Sequence, residues 1–321
     1  MRNGRGGATP ASPAPVTATE AVPRPIDAAY LEAEVERLVQ HAGAGEDAAR
    51  MAGEYARFAP GFLAALERGL IRAAEPDDAE PGGWRVNAWV KQGILLCFRA
   101  PGFRDWRDPI FAARDRAAFG LLDLLESTGA REAAAAGSPW RVVPGGTTVR
   151  SGVHLEPGVT IMPPAYVNVG AWVGRGAMVD SHALVGSCAQ IGRRVHLSAA
   201  AQVGGVLEPI GARPVVVDDE AFVGGGCGLY DGVVVGRGAV LAAGVILTGT
   251  SRLIDLVNET EHVGTPERPL VVPPGSVVVP GSRPAGGAWA RERGISVATA
   301  VVVKHRDPST DARVAFEDAL R

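Results

Sequence analysis

Asp180, His182 and Ser198 sit in the middle of the chain, and their types and spacing suit proton-transfer chemistry. A carboxylate can accept a proton from a reacting amine, and an imidazole exchanges protons close to neutral pH. Each also has a plain structural reading: Asp180 follows an aliphatic residue, where a carboxylate can simply hold backbone amides, and His182 can be a solvent-facing corner. Ser198 follows Asp180 by eighteen residues, a distance whose meaning depends on the period around it. The three cysteines, Cys97, Cys188 and Cys227, form neither a spaced metal cluster nor an even disulfide framework. Cys227 reads as a small packing residue, and no base stands in evident partnership with Cys188.

The period is six. From Val149 to Val203 an aliphatic side chain recurs at every sixth position without a miss, and a compact residue follows each one four positions later, from Val153 to Ala201. A helix requires 3.6 and a half-buried strand 2, so this stretch is a solenoid of short stacked units. One large and one small inward side chain per six residues suits a triangular coil, with one short parallel strand per side and eighteen residues per turn. Asp180 and Ser198 then occupy the same corner on neighbouring levels. The series resumes at Val217 and runs to Leu253, and the gap of fourteen after Val203 predicts an outward bulge around Gly204–Pro214. Val271 and Val277 continue the six-residue step. Glycines such as Gly174, Gly186, Gly192, Gly224 and Gly236 follow the aliphatic, where a tight corner tolerates little side chain.

The chain around this solenoid is that of an ordinary globular protein. It has 321 residues, 46% of them hydrophobic, and a formal charge of -3, with no basic surface suited to nucleic acid. Residues 1–26, rich in Pro, Ala, Thr and Gly, read as a tail without a signal or membrane span, and the expected location is cytoplasmic. Residues 27–139 read as a helical domain, with helical spacing over Ala28–Arg50, Glu54–Arg72 and Asn87–Phe98; Asp105–Leu125 has no clear period. Residues 140–280 are the solenoid. Residues 281–321 form a C-terminal extension with a strand over Val297–Lys304 and a helix over Arg313–Leu320, and Pro280–Gly287 reads as a loop.

The pattern resembles the hexapeptide-repeat acyltransferases, and within them bacterial tetrahydrodipicolinate N-succinyltransferase, the acyl-CoA enzyme of lysine and diaminopimelate biosynthesis. The resemblance rests on Met162-Pro163-Pro164-Ala165-Tyr166-Val167-Asn168-Val169-Gly170-Ala171, on Met178-Val179-Asp180, on Val185-Gly186-Ser187-Cys188-Ala189-Gln190-Ile191-Gly192, on Val195-His196-Leu197-Ser198 and on Gly204-Gly205-Val206-Leu207-Glu208-Pro209. Outside the repeats it extends to Gly69-Leu70-Ile71-Arg72 and to Trp89 through Arg99, so that roughly residues 60–305 are covered. It implies a mainly β fold, the left-handed parallel β-helix, although parallel crossovers are ordinarily right-handed. It also implies a homotrimer with active sites between subunits, an acyl-CoA cosubstrate (succinyl-CoA before acetyl-CoA) and no required metal. Asp180 matches an active-site aspartate, Ser198 a residue near the amine substrate, and Arg99 an arginine that holds substrate carboxylate. Acyl-CoA is expected in a groove between adjacent solenoids, along Gly204, Gly205, Ala242 and Ala243, with Lys304 and Arg306 toward its phosphates.

Two departures qualify the match. Over Gly225-Gly226-Cys227-Gly228 the family carries an alanine-arginine-serine-glutamate run, so the arginine and glutamate positions are both glycine here. His182 stands where relatives have tryptophan, and its imidazole is a candidate replacement for the lost acid/base group. Three readings stay open: an N-acyltransferase with altered acceptor or donor, the ordinary lysine-pathway enzyme, and a catalytically silent hexapeptide-repeat binding protein.

Overall fold

The computed structural model describes residues 27–43, 47–107, 112–265 and 267–307; the predicted tail and the helix expected over Arg313–Leu320 lie outside them. Most of the chain winds into a three-sided parallel β-helix. Each side is a stack of two-residue strands, giving two six-stranded sheets and a ten-stranded sheet in which four longer strands extend the stack at one end. We call the ten-stranded sheet the first face. The chain passes from it to the second face (for example Leu184–Val185) and then the third (Gln190–Ile191) before starting the next coil.

The six-residue period is the cause of this shape. Strand partners are eighteen residues apart, as in Met178 with His196 and Val179 with Leu197. The second residue of each strand points inward, so Val179, Val185, Ile191, Leu197 and Val203 are fully buried. Burying each is worth about 1.5–3 kcal/mol, and the column forms one continuous core with the compact residues between them. The glycines after the aliphatics reflect how closely coils stack: a Cβ on Gly224 would lie 2.6 Å from the backbone of Ala243 on the next coil. At the corners the chain turns through positive φ, by glycine at Gly226 and by ordinary residues at His182 and Ala200, each non-glycine case costing roughly 1–2 kcal/mol.

Other elements depart from the periodic reading in specific ways. Helix α1 spans Ala28–Gly43 and α2 spans Ala48–Glu67. The second helix therefore starts earlier than the spacing predicted, because the Asp47 carboxylate accepts from the backbone N–H groups of Ala49 and Arg50. Helix α3 spans Ala88–Arg99, as expected. Within Asp105–Leu125 lies most of an exposed antiparallel hairpin, Phe103–Arg107 with Ala112–Arg116. In the last coil the inward residues are Val272 and Val278, not Val271 and Val277, since Val235 pairs with Val272 and Leu241 with Val278. The inserted hairpin Arg252–Asp255 with Thr260–Val263 breaks the count and shifts the phase. Pro280 and its neighbours are not a loop: the strand Ser276–Pro284 crosses residue 280 unbroken and pairs antiparallel with Ser296–His305.

The helices pack on the corner between the second and third faces, where Val169 and Cys188 point away from the solenoid interior and join the core formed by Leu38, Phe62, Ile94 and Cys97. The predicted bulge is present, and the cap holds it: the buried Lys91 ammonium donates to the carbonyls of Pro209 at 3.1 Å and Ala212 at 2.7 Å. On the third face the Arg72 guanidinium lies over the rings of Trp172 at 4.1 Å and Trp84 at 5.1 Å, and its Nε donates to Gln190 at 2.5 Å.

Candidate functional site at the edge between the first and second faces

The corner joining the first face to the second repeats once per coil and makes a continuous edge. Asp180, Ser198, Gly224 and Ala242 each open this corner on successive rungs. The ladder fixes their order: Asp180 N–H donates to Leu197 O at 2.9 Å, Ser198 N–H to Val223 O at 2.9 Å, and Gly224 N–H to Leu241 O at 2.8 Å. Asp180 and Ser198 are thus adjacent on one edge, as the eighteen-residue spacing required. Both are half-buried. The Asp180 carboxylate accepts from Ser181 N–H at 2.6 Å, which orients it and leaves its second oxygen for other partners.

His182 lies on the same corner, two residues on, with φ 63° and an exposed ring. Its backbone N–H donates to Pro164 O at 2.5 Å and its carbonyl accepts from Gln202 Nε2 at 3.2 Å. That amide also reaches Ala200 O at 3.2 Å, so Gln202 clips two successive corners together. Nothing in the repeat singles out Gln202; only the ladder, which places it on the rung between Leu184 and Gly228, reveals its neighbours.

The remaining candidates are distributed over other parts of the subunit. Ala242 and Ala243 continue the Asp180 edge, whereas Gly204 and Gly205 begin the bulge at the far end of the second face. Arg99 is exposed at the end of α3. Lys304 pairs with Asp307 at 2.7 Å. Arg306 donates to the carbonyls of Glu220 at 3.1 Å and Gly238 at 3.4 Å, at the corner between the third face and the first. A single subunit therefore does not gather these groups around Asp180.

Burial decides the cysteine question. The Cys188 thiol is pushed up to about 12 and the Cys97 thiol higher still by removal from water. Burial also raises Cys227, whose Sγ donates to Ala242 O at 3.1 Å from the compact inward position. None has the thiolate character of a nucleophile. Among the described residues no group of three or more His, Cys, Asp or Glu is placed to hold a metal ion, and no helix is long and apolar enough to cross a membrane.

Residues 30–100 match the family model for the tetrahydrodipicolinate N-succinyltransferase N-terminal domain, and residues 214–249 match the hexapeptide repeat of succinyl-transferase. Among similar proteins, the 2,3,4,5-tetrahydropyridine-2,6-dicarboxylate N-succinyltransferase of Rhodopseudomonas palustris (strain TIE-1) is 37% identical over 278 residues, 84% of this chain and 91% of that protein. The enzyme of that name from Granulibacter bethesdensis is 43% identical over 265 residues, 81% of this chain and 87% of its own. The one from Zymomonas mobilis is 40% identical over 259 residues, again 81% and 87%.

Proposed function

Because the chain belongs to the tetrahydrodipicolinate N-succinyltransferase family, with the left-handed parallel β-helix of hexapeptide-repeat acyltransferases, we propose that it transfers an acyl group from acyl-CoA to the nitrogen of a small amino or imino dicarboxylic acid. Succinyl-CoA and tetrahydrodipicolinate, the substrates in the relatives' names, are the first pair to test. The observation that carries this reading is the placement of Asp180 and Ser198 on adjacent rungs of one solvent-facing edge.

In this reading the acceptor nitrogen attacks the thioester carbonyl, the C–N bond forms, the C–S bond breaks and CoA leaves as its thiol. The proton lost by nitrogen passes to Asp180, and His182, on the same corner, relays one to the departing sulfur. The Ser198 hydroxyl positions the amine. Arg99 supplies a paired donor to an acceptor carboxylate. Gly204, Gly205, Ala242 and Ala243 line the pantetheine path, while Lys304 and Arg306 lie toward the nucleotide.

These groups stand on different edges of one subunit, which supports a homotrimer whose sites lie between subunits. The cytoplasm, where acyl-CoA is made and used, is the proposed location.

The test is free-thiol release from succinyl-CoA and from acetyl-CoA with tetrahydrodipicolinate and a panel of small amino acids, with product masses recorded. Turnover that vanishes in Asp180→Asn supports the transferase. Absence of turnover with every pair would replace it by the silent binding protein.

A further inference from the structure

Gly228 has no side chain, and the space beside it is filled by the residue that follows its strand Gly228–Leu229. Gly228 and Tyr230 both face outward on the second face, on either side of the fully buried Leu229. A Cβ on Gly228 would lie 2.6 Å from Cε2 of Tyr230, 3.0 Å from its hydroxyl oxygen and 2.9 Å from Cδ1 of Ile246. A Cβ on Gly204, one rung below, would lie 2.7 Å from Cδ1 of the same ring. The ring therefore occupies the space where a side chain of either glycine would stand, and a side chain at either one would have to displace it.

Its hydroxyl end leans back to Gly228, the residue that directly follows the corner 224–227, the third rung of the edge that carries Asp180 and Ser198. Among the described residues that hydroxyl makes no hydrogen bond. The outward residue on the rung below, Gln202, turns its amide nitrogen to the His182 and Ala200 carbonyls. Beside them, Gly226 has nothing within 4 Å of where its Cβ would be. This part of the edge thus presents a hydroxyl and an amide, with no charge from positions 226, 228 or 230.

We propose that Tyr230 is a specificity-determining residue of the acyl-transfer site, its hydroxyl donating to a carbonyl or hydroxyl oxygen of the bound acceptor. The proposal rests on the acyl-transfer reading. A carboxylate at this seat would only accept hydrogen bonds and would favour an ammonium or N–H group, whereas a phenol hydroxyl donates. The phenol keeps an acceptor lone pair, so the exchange removes a negative charge and adds a donor to what the acceptor meets.

The experiment compares wild-type protein with Tyr230→Phe, Gly228→Glu and the double variant Gly228→Glu/Tyr230→Val, measuring melting temperature and KM and kcat across the acceptor panel. Tyr230→Phe keeps the ring and is expected to keep the melting temperature while raising the acceptor KM roughly tenfold with little change in kcat. Gly228→Glu alone is expected to lower the melting temperature, because its Cβ meets the ring. The double variant regains it and shifts preference toward acceptors bearing an ammonium group. An unchanged acceptor KM in Tyr230→Phe, or an unchanged acceptor ranking in the double variant, overturns the proposal while leaving the transferase reading intact. A wild-type protein that turns over no acceptor overturns both.

Discussion

The first two rungs of the functional edge and the third differ in one respect only. Asp180, His182 and Ser198 keep polar groups on the outside, whereas 224–228 offers only glycine and a buried cysteine. Inside, nothing changes: Val179, Leu197 and Val223 are equally buried, and Cys227 takes the compact position that Ala183 and Ala201 take below it. In a solenoid each coil touches only its neighbours. The inward residues are therefore bound by stacking, and the outward residues of a rung can be rebuilt without disturbing the core. Within the departure from the family run, the lost arginine and glutamate lie on the side that stacking leaves free, while Cys227 keeps the inward position compact.

That contrast can be broken most severely at Asp180. Asp180→Asn is expected to lower thiol release by a factor on the order of 10² to 10⁴ while leaving the melting temperature nearly unchanged, since the asparagine oxygen can still accept from Ser181 N–H. A comparable loss of stability in place of activity would assign Asp180 to the fold. Inward, the reverse holds: Leu197→Ala, at a fully buried position, is expected to cost about 2–5 kcal/mol in denaturant unfolding.

A third test concerns where the solenoid meets the cap. Burial lowers the pKa of His154, which packs against Trp172 and contacts Glu67 O at 2.8 Å. Its folded value lies below the usual 6.5, so the folded state prefers the neutral ring. The unfolded chain binds the proton first as pH falls, and stability is expected to decline below about pH 6.5. Thermal melts between pH 8 and 5 should show that decline, and His154→Gln should lessen it.

The smallest effect is expected at Gly226. A Cβ there has open space, so Gly226→Arg should cost roughly 1–2 kcal/mol, chiefly from its φ of 65°. It should also lower KM for acceptors with an extra carboxylate. A larger loss of stability would show that outward rungs are less independent than the stacking suggests.

Most of the solenoid was legible in the sequence because its period is rigid: the buried column, the strand register and the bulge after Val203 all follow from counting. Counting failed where it was interrupted. The hairpin Arg252–Asp255 with Thr260–Val263 displaced the last inward residues by one, and the hairpin Phe103–Arg107 with Ala112–Arg116 has too few buried positions to show a period. The start of α2 depended on a cap at Asp47 that precedes the hydrophobic spacing.

The sequence by itself determined that Asp180 and Ser198 share an edge, because a six-residue repeat leaves no freedom in how coils align. It also determined which cysteine faces inward at Cys227. Only the tertiary structure decided that Gly204 and Gly205 stand at a different corner from Ala242 and Ala243, and that Arg306 is engaged by carbonyls of Glu220 and Gly238. It also decided that the place beside Gly228 holds the ring of Tyr230. A repeat dictates which way each backbone position points, but how an outward side chain lies across its neighbours depends on the rungs above and below, whose residues are far away in the chain.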